Sequence, residues 1–383
     1  MREERKLRIG IDLTGLWRPA TGVFVYAIEL AHQLLRLDNH NSYTLFFTGE
    51  VQPNFRELHG KFRSVVIPVR DEVISKQLVL GTLCNTLQLD VMHFPAFPPA
   101  LACFRPFIWT LHDATPWLYP ETMNWKSRLY FGHLGARAAR SSKAIITVSN
   151  EAKRNIIEAL RVPESKVRVI YEGVDGAFRK IDEHAFLNSV RARYRLPERF
   201  LLTVGTLEPR KNLPFLIRAY KRFRELTDAK LGLVIVGRKG WKSQAIDQSL
   251  AEAGDGVVVT GFIPREDLVG LYNLADAFVL PSLYEGFGFP PLEAMACGCP
   301  VIVSNRGSLP EIVGDAALLI DPTDIDSLVG ALRSVFSNPR LGLTLVGKGL
   351  ARVKRFSWGA AASETLGCYR ETVNSREDLV AAF

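Results

Sequence analysis

Two glutamates in the spacing E-x7-E, an adjacent arginine and lysine, and a His-Asp pair are the residues of this 383-residue chain whose types and positions could do chemistry. Glu285 and Glu293 lie in the stretch LPSLYEGFGFPPLE, residues 280–293. Its apolar start, Ala277–Leu280, reads as a buried parallel strand. Gly286 and Gly288 flank Phe287 in a glycine-rich turn, and Pro290-Pro291 then opens a helix with Glu293 in its first turn, where proline is tolerated. One carboxylate thus sits beyond a strand's carboxyl end and the other near a helix N-terminus, with backbone N–H groups between them able to face an anion. Read alone, the same stretch is a βα loop with a capping glutamate.

Arg210-Lys211 occupies the loop Gly205–Asn212 (GTLEPRKN), just before a helix starting at Leu213. Two cations at a helix N-terminus suit a diphosphate, because point charges and backbone N–H groups act on the same oxygens; a solvated basic pair is the plain alternative. Arg238-Lys239 ends a neighbouring strand and is as readily solvated as in reach. His112-Asp113 follows the strand Phe107–His112 (FIWTLH). The imidazole could donate to or accept from a sugar hydroxyl, and Asp113 could take a proton, orient the ring or simply cap a helix. His93, His133 and His184 read as structural.

Several chemistries are excluded. The five cysteines, Cys84, Cys103, Cys297, Cys299 and Cys368, have no partners at zinc spacing and read as buried or reduced thiols. Asp12, Asp113 and Asp175 are scattered along the sequence, so no metal is expected and no cofactor either; a diphosphate here would be neutralised by Arg210 and Lys211. The Gly286/Gly288 pair lacks the third glycine of a dinucleotide fingerprint, and there is no Walker A, nucleophile elbow or kinase set. The net charge of +8 is spread over both halves, which suits anionic ligands or an anionic membrane surface; no nucleic-acid motif accompanies it. With no apolar segment near its start and no run of 18 apolar residues, the chain reads as cytoplasmic, which leaves open a peripheral seat at the inner membrane face.

Positioning these residues requires strands. Strand-like runs at Leu7–Leu13, Tyr43–Thr48, Ser64–Pro68, Asp90–Phe94, Phe107–His112, Lys143–Ser149 and Lys166–Tyr171 alternate with helical patterns such as Val25–Leu37. A second series follows at Phe200–Val204, Leu231–Val236, Val257–Val259, Ala277–Leu280, Pro300–Ser304 and Ala317–Ile320. Ser149 reads as a helix cap. The helix from Asn124 to Ser141 carries Lys126, Arg128, Arg137 and Arg140, either an ordinary surface helix or a basic face toward a membrane. The expected fold class is α/β: two tandem Rossmann-like domains facing across a cleft, residues 1–178 and 199–356, joined by an interdomain segment at 179–198.

The motifs GTLEPRKNL (205–213), PSLYEGFG (281–288), LEAMACG (292–298), Ser304-Asn305 and GSLPE (307–311) resemble the family 4 retaining glycosyltransferases of GT-B fold. The likeness spans essentially the whole chain and includes Thr21-Gly22, His112-Asp113, Thr147-Val148-Ser149 and Gly173-Val174-Asp175. Phe24 stands where relatives often carry glycine. The resemblance implies that the first domain handles the acceptor and the second the donor, and that a last helix beginning near Phe356-Ser357-Trp358, about 357–383, crosses back to the first domain. It also implies that Glu285 holds the donor sugar's hydroxyls and Glu293 the ribose. Arg210 and Lys211 would neutralise the diphosphate, the Gly286, Phe287 and Gly288 backbone would contact sugar and phosphates, His112 would lie near the transferred sugar, and Gly22 would admit the donor phosphates. EPRKN and Gly240-Trp241 look most like bacterial mannosyl- and rhamnosyltransferases. The implied partners are a nucleotide-diphosphate sugar, GDP-mannose first, and a saccharide or lipid-linked saccharide acceptor. A GT-B nucleotide-sugar epimerase and a non-catalytic nucleotide-sugar-binding protein are the competing readings.

Overall fold

The computed structural model describes residues 5–16, 22–69, 74–120, 128–227, 230–240 and 243–381. Thr21, Trp125, Lys126 and Trp241 lie outside them. The chain forms two compact units, Met1–Gly173 with Ser357–Phe383, and Val174–Phe356.

The first unit holds a seven-stranded parallel sheet of β1 (Arg8–Asp12), β2 (Ser42–Thr48), β3 (Phe62–Ile67), β4 (Val91–Phe94), β5 (Phe107–Thr110), β6 (Ala144–Thr147) and β7 (Val167–Val169), in the order β3-β2-β1-β4-β5-β6-β7. β4, β5 and β6 are buried along their whole length, which is why they appear in sequence as unbroken apolar runs rather than alternating ones. Ser149 caps the helix Asn150–Leu160, its hydroxyl accepting from the Ala152 amide at 3.0 Å. The described part of the basic helix is a π-helical turn, Tyr130–Gly135, continued by the α-helix Ala136–Ser141. That segment buries Ala138 and Ala139 and leaves Arg137 and Arg140 exposed.

The second unit holds a six-stranded parallel sheet of β8 (Phe200–Val204), β9 (Gly232–Val236), β10 (Val257–Gly261), β11 (Ala277–Leu280), β12 (Val301–Ser304) and β13 (Leu318–Ile320), in the order β10-β9-β8-β11-β12-β13. Residues 179–198, expected to be an interdomain segment, belong to this unit. They contain the helix His184–Arg193, whose buried Val190 touches the Gly270 position of the helix Arg265–Leu274, while Arg193 and Tyr194 both donate to Asp267. Only one apolar residue of that helix is buried, so its sequence carries almost no amphipathic signal.

The last helix, Trp358–Ala381, belongs to the first unit, as the resemblance implies. A Cβ at Gly173 would stand 2.3 Å from the Trp358 backbone nitrogen, so only glycine lets the start of this helix approach β7's exit. Further along, the Tyr369 hydroxyl bonds His93 Nδ1 at 2.6 Å, and His93 Nε2 bonds Thr110 Oγ1 at 2.8 Å. Burial lowers the His93 pKa to about 3, so this ring is a neutral structural group. Tyr369→Phe leaves a buried ring nitrogen without its partner and should cost about 1–3 kcal/mol, read as a lower urea midpoint with the helix content at saturation unchanged.

Candidate active site

In both sheets the first strand of the series lies between the second and the fourth, so the chain reverses direction across the sheet beside it. Loops at the carboxyl ends of the two strands flanking that point form the usual ligand crevice of an open α/β sheet. In the second unit those strands are β8 and β11, and their loops carry Arg210, Lys211 and Glu285.

After β8 the chain runs to a single 3-10 turn, Pro209–Lys211, and Asn212 then adopts a left-handed φ of 57° before the helix Leu213–Thr227. The Asn212 amide donates to Pro281 O at 3.3 Å and Pro322 O at 2.8 Å, tying this loop to the ends of β11 and β13. The Leu283 amide donates to Arg210 O at 2.8 Å. With both loops fastened, the charged side chains meet. Lys211 Nζ donates to Glu285 Oε1 at 2.7 Å, and Arg210 Nη1 donates to Glu285 Oε2 at 2.8 Å and Tyr284 O at 2.6 Å. Arg210 Nε and Nη2 also donate to Glu208 Oε1, at 3.1 and 2.7 Å. Burial alone would raise the Glu285 pKa, but Arg210 and Lys211 overcome it and hold the carboxyl at about 2. The carboxylate is therefore ionised across the physiological range, and its pairing stabilises the fold above pH 4.5 and is lost as pH falls toward about 2.

The loop after β11 is clamped from below. Ser308 Oγ donates within reach of both Glu285 O (3.0 Å) and Phe287 O (2.6 Å), and the Ser308 amide donates to Glu285 O at 3.1 Å. Gly307 has φ +59°, and a Cβ there would lie 2.7 Å from Glu285 O and 2.8 Å from Glu285 N. Gly286, Phe287 and Gly288 are buried in this loop, and Gly288, at φ +119°, precedes the helix Phe289–Ala296. That helix starts at Phe289, so Glu293 falls in its second turn rather than its first. Glu293 is held apart from the cation cluster: Tyr272 donates its hydroxyl to Glu293 Oε2 at 2.8 Å. Burial raises its pKa to about 7, against the Tyr272 bond and the Arg265 charge. Two glutamates eight positions apart are thus prepared oppositely, one a fixed anion and the other able to bind in either protonation state. Arg238 and Lys239 are engaged elsewhere, with the Phe262 ring and with Asp247.

In the first unit His112 stands two residues past the end of β5. Its Nδ1 lies 3.1 Å from Glu172 Oε1, its Nε2 lies 3.0 Å from Pro95 O, and the Tyr26 ring stands perpendicular to it with centroids 4.6 Å apart. Asp113 does not orient the ring, whose nitrogens both face other oxygens; its Oδ1 accepts from the Thr115 amide at 2.8 Å. Gly22 is the exposed first residue of the helix Gly22–Leu37.

Glu208, Glu172, Tyr272 and Ser308 are site residues that sequence reasoning passed over. Glu208 and Glu172 each stand just past an apolar strand, a position that could have marked them; nothing local marks Tyr272 as the partner of Glu293. Among the described residues no group of three or more His, Cys, Asp or Glu is arranged to hold a metal ion.

Two parallel α/β units of this strand order, with a cation–carboxylate cluster at a switch point, are the architecture of a GT-B glycosyltransferase. Solved structures bear this out at the level of fold. Anabaena Alr3699/HepE in complex with UDP and glucose superposes with a TM-score of 0.75 at 18% identity, covering 96% of this chain and 100% of that one. A glycosyltransferase from Rickettsia africae gives 0.74 at 18%, covering 96% and 99%. The model for Glycosyltransferase Family 4 matches residues 20–178, and that for Glycosyl transferases group 1 matches residues 190–347. The chain belongs to the family 4 glycosyltransferases. It is 34% identical over 265 residues to O-antigen chain mannosyltransferase B of Escherichia coli, covering 68% of this chain and 69% of that protein. Serotype-specific mannosyltransferase WbdA of Escherichia coli is 32% identical over 243 residues, 62% of this chain but only 30% of its own length.

Two outcomes follow from the geometry. Gly307→Ala should push the Glu285 carbonyl out of its Ser308 bonds and lower nucleotide-sugar affinity at least tenfold by calorimetry, with the far-ultraviolet spectrum unchanged. Because the Glu293 pKa is raised from 4.5 to about 7, native stability falls as pH rises between those values. Glu293→Gln should therefore leave the denaturation midpoint unchanged at pH 4 and stabilise the protein by about 1–3 kcal/mol at pH 8.

Proposed function

We propose that this glycosyltransferase moves a hexose, mannose from GDP-mannose, to a saccharide or lipid-linked saccharide in cell-surface polysaccharide synthesis of the O-antigen kind. The observation that carries the reading is the contact of Arg210 and Lys211 with Glu285 at the β8/β11 switch point. The likeness to mannosyltransferases points to the sugar. The donor diphosphate takes Arg210 and Lys211, Glu285 accepts from sugar hydroxyls and Glu293 from the ribose, and the Gly286–Gly288 backbone lines the phosphates. Gly22 and His112 serve the donor from the first unit, with Asp113 beside the histidine.

Transfer goes with retention. The C1–oxygen bond to the diphosphate breaks with its electron pair going to phosphate, and the acceptor oxygen bonds C1 from the same face. The acceptor's proton passes to the departing phosphate. Both cations stabilise the charge growing on that phosphate, so no metal is called for. This is consistent with Glu285 being saturated by cations, an arrangement unsuited to a carboxylate nucleophile.

A thermal-shift screen against GDP, UDP, dTDP and their sugars tests the donor, since a ligand of the folded state raises apparent stability by mass action. GDP-mannose should give the largest shift. Arg210→Ala or Lys211→Ala should lower kcat by about 10²–10³, roughly 3–4 kcal/mol, while a chelator leaves turnover intact. Epimerised sugar formed from donor alone would favour the epimerase reading instead. No helix among the described residues is long and apolar enough to cross a membrane, and the exposed pair Arg137 and Arg140 supports a peripheral seat on an anionic surface. Replacing both by glutamine should weaken partition onto anionic vesicles; unchanged partition would leave them an ordinary surface pair.

A further inference from the structure

We propose that Glu172 is a positioning residue for His112: enclosed against the ring at Nδ1, with Pro95 O at Nε2, it fixes His112 as an imidazolium that offers a positive edge and no proton-accepting nitrogen. The inference rests on the reading of His112 as a residue of the transfer site.

Both ring nitrogens are committed to protein oxygens. A backbone carbonyl can only accept, so Nε2 carries a hydrogen toward Pro95 O at 3.0 Å. A carboxylate at 3.1 Å from Nδ1 likewise calls for a hydrogen there. Burial raises the Glu172 pKa and works against the ion pair, while the bond to His112 and its charge act the other way. Because an imidazole is ordinarily the stronger base of the two, we place the shared proton on His112. The other groups facing the ring do not offset this arrangement. Asp113 adds negative charge, His93 is neutral, and the Tyr26 ring stands perpendicular to the imidazole with its hydroxyl 3.0 Å from Thr110 Oγ1. Burial works against the charged ring, but Glu172 and Pro95 outweigh it and raise the His112 pKa.

The two side chains differ in access. Glu172 is 2% exposed and His112 is 15% exposed. The pair is neutral as a whole, yet its negative end is sealed and its positive end is open, so a ligand meets a fixed positive charge. Such a preset charge stabilises negative charge developing on an oxygen without reorganising at the moment of reaction. It cannot act as a base unless the Glu172 or Pro95 bond breaks.

The test uses the full chain with 15N-labelled histidine, unliganded, the His112 signal being assigned by its loss in His112→Gln. Wild-type His112 should show both ring nitrogens protonated at pH 7.5, and Glu172→Gln should lower its titration midpoint by at least one pH unit, tenfold in protonation. A wild-type ring with one bare nitrogen at pH 7.5, or a midpoint unmoved in Glu172→Gln, overturns the proposal, and the wild-type measurement decides even if the variant fails to fold. With GDP-mannose as donor, the kcat of Glu172→Gln should fall off at lower pH than that of the wild type, with KM within about threefold. A loss equal at every pH would overturn the positioning role. A ring that titrates as stated while His112→Gln keeps full kcat would instead remove His112 from the transfer site, a failure of the underlying reading.

Discussion

The pairing of Glu285 with Arg210 and Lys211 is the interaction on which the second unit's chemistry depends. Placing a carboxylate that is 7% exposed at a sheet edge is costly unless both of its oxygens are matched, and here each takes one cation. The match is possible because β8 and β11 are neighbours although 72 residues, 205–276, separate them in sequence. Asn212 then pins one loop and Ser308 the other, so the charges meet without freedom to drift. Glu208 completes the arrangement from the far side of Arg210, which holds the guanidinium in one orientation. On the function proposed, a diphosphate entering this cluster would find cations already oriented and would compete with carboxylates already bound.

The same economy of residue types recurs across the molecule. Glu285 and Glu293 differ only in surroundings, yet one is held at about 2 and the other at about 7. His93 and His112 form a parallel contrast within the first unit. His93, enclosed between hydroxyls of Thr110 and Tyr369, is neutral, whereas His112 faces a carboxylate and a carbonyl that raise its pKa. Burial opposes charge in all four cases, and a matched partner decides which groups resist it.

The last helix braces the surroundings of His112 within the first unit. Trp358 enters against Gly173, one residue after Glu172, and Tyr369 secures His93 on β4, the strand that leads to Pro95. The backbone around both partners of His112 is therefore braced by a segment from the far end of the chain.

Much of this was legible in the amino-acid order alone. Buried parallel strands appear as apolar runs, so both strand series, the two-unit organisation and the loops bearing Arg210, Lys211, Glu285 and His112 could be read directly, each strand to within a residue or two. The helix His184–Arg193 could not, because a helix that buries one apolar residue leaves no periodic trace. Nor could the partners. Glu285 with Lys211, Glu172 with His112 and Tyr272 with Glu293 are separated by 74, 60 and 21 positions. What sequence determined by itself was local: which residues form strands and which polar groups end them. Strand order and the tertiary contacts it creates decided which charges meet, because a side chain's protonation and reach depend on neighbours brought from other strands, and local pattern holds no information about them.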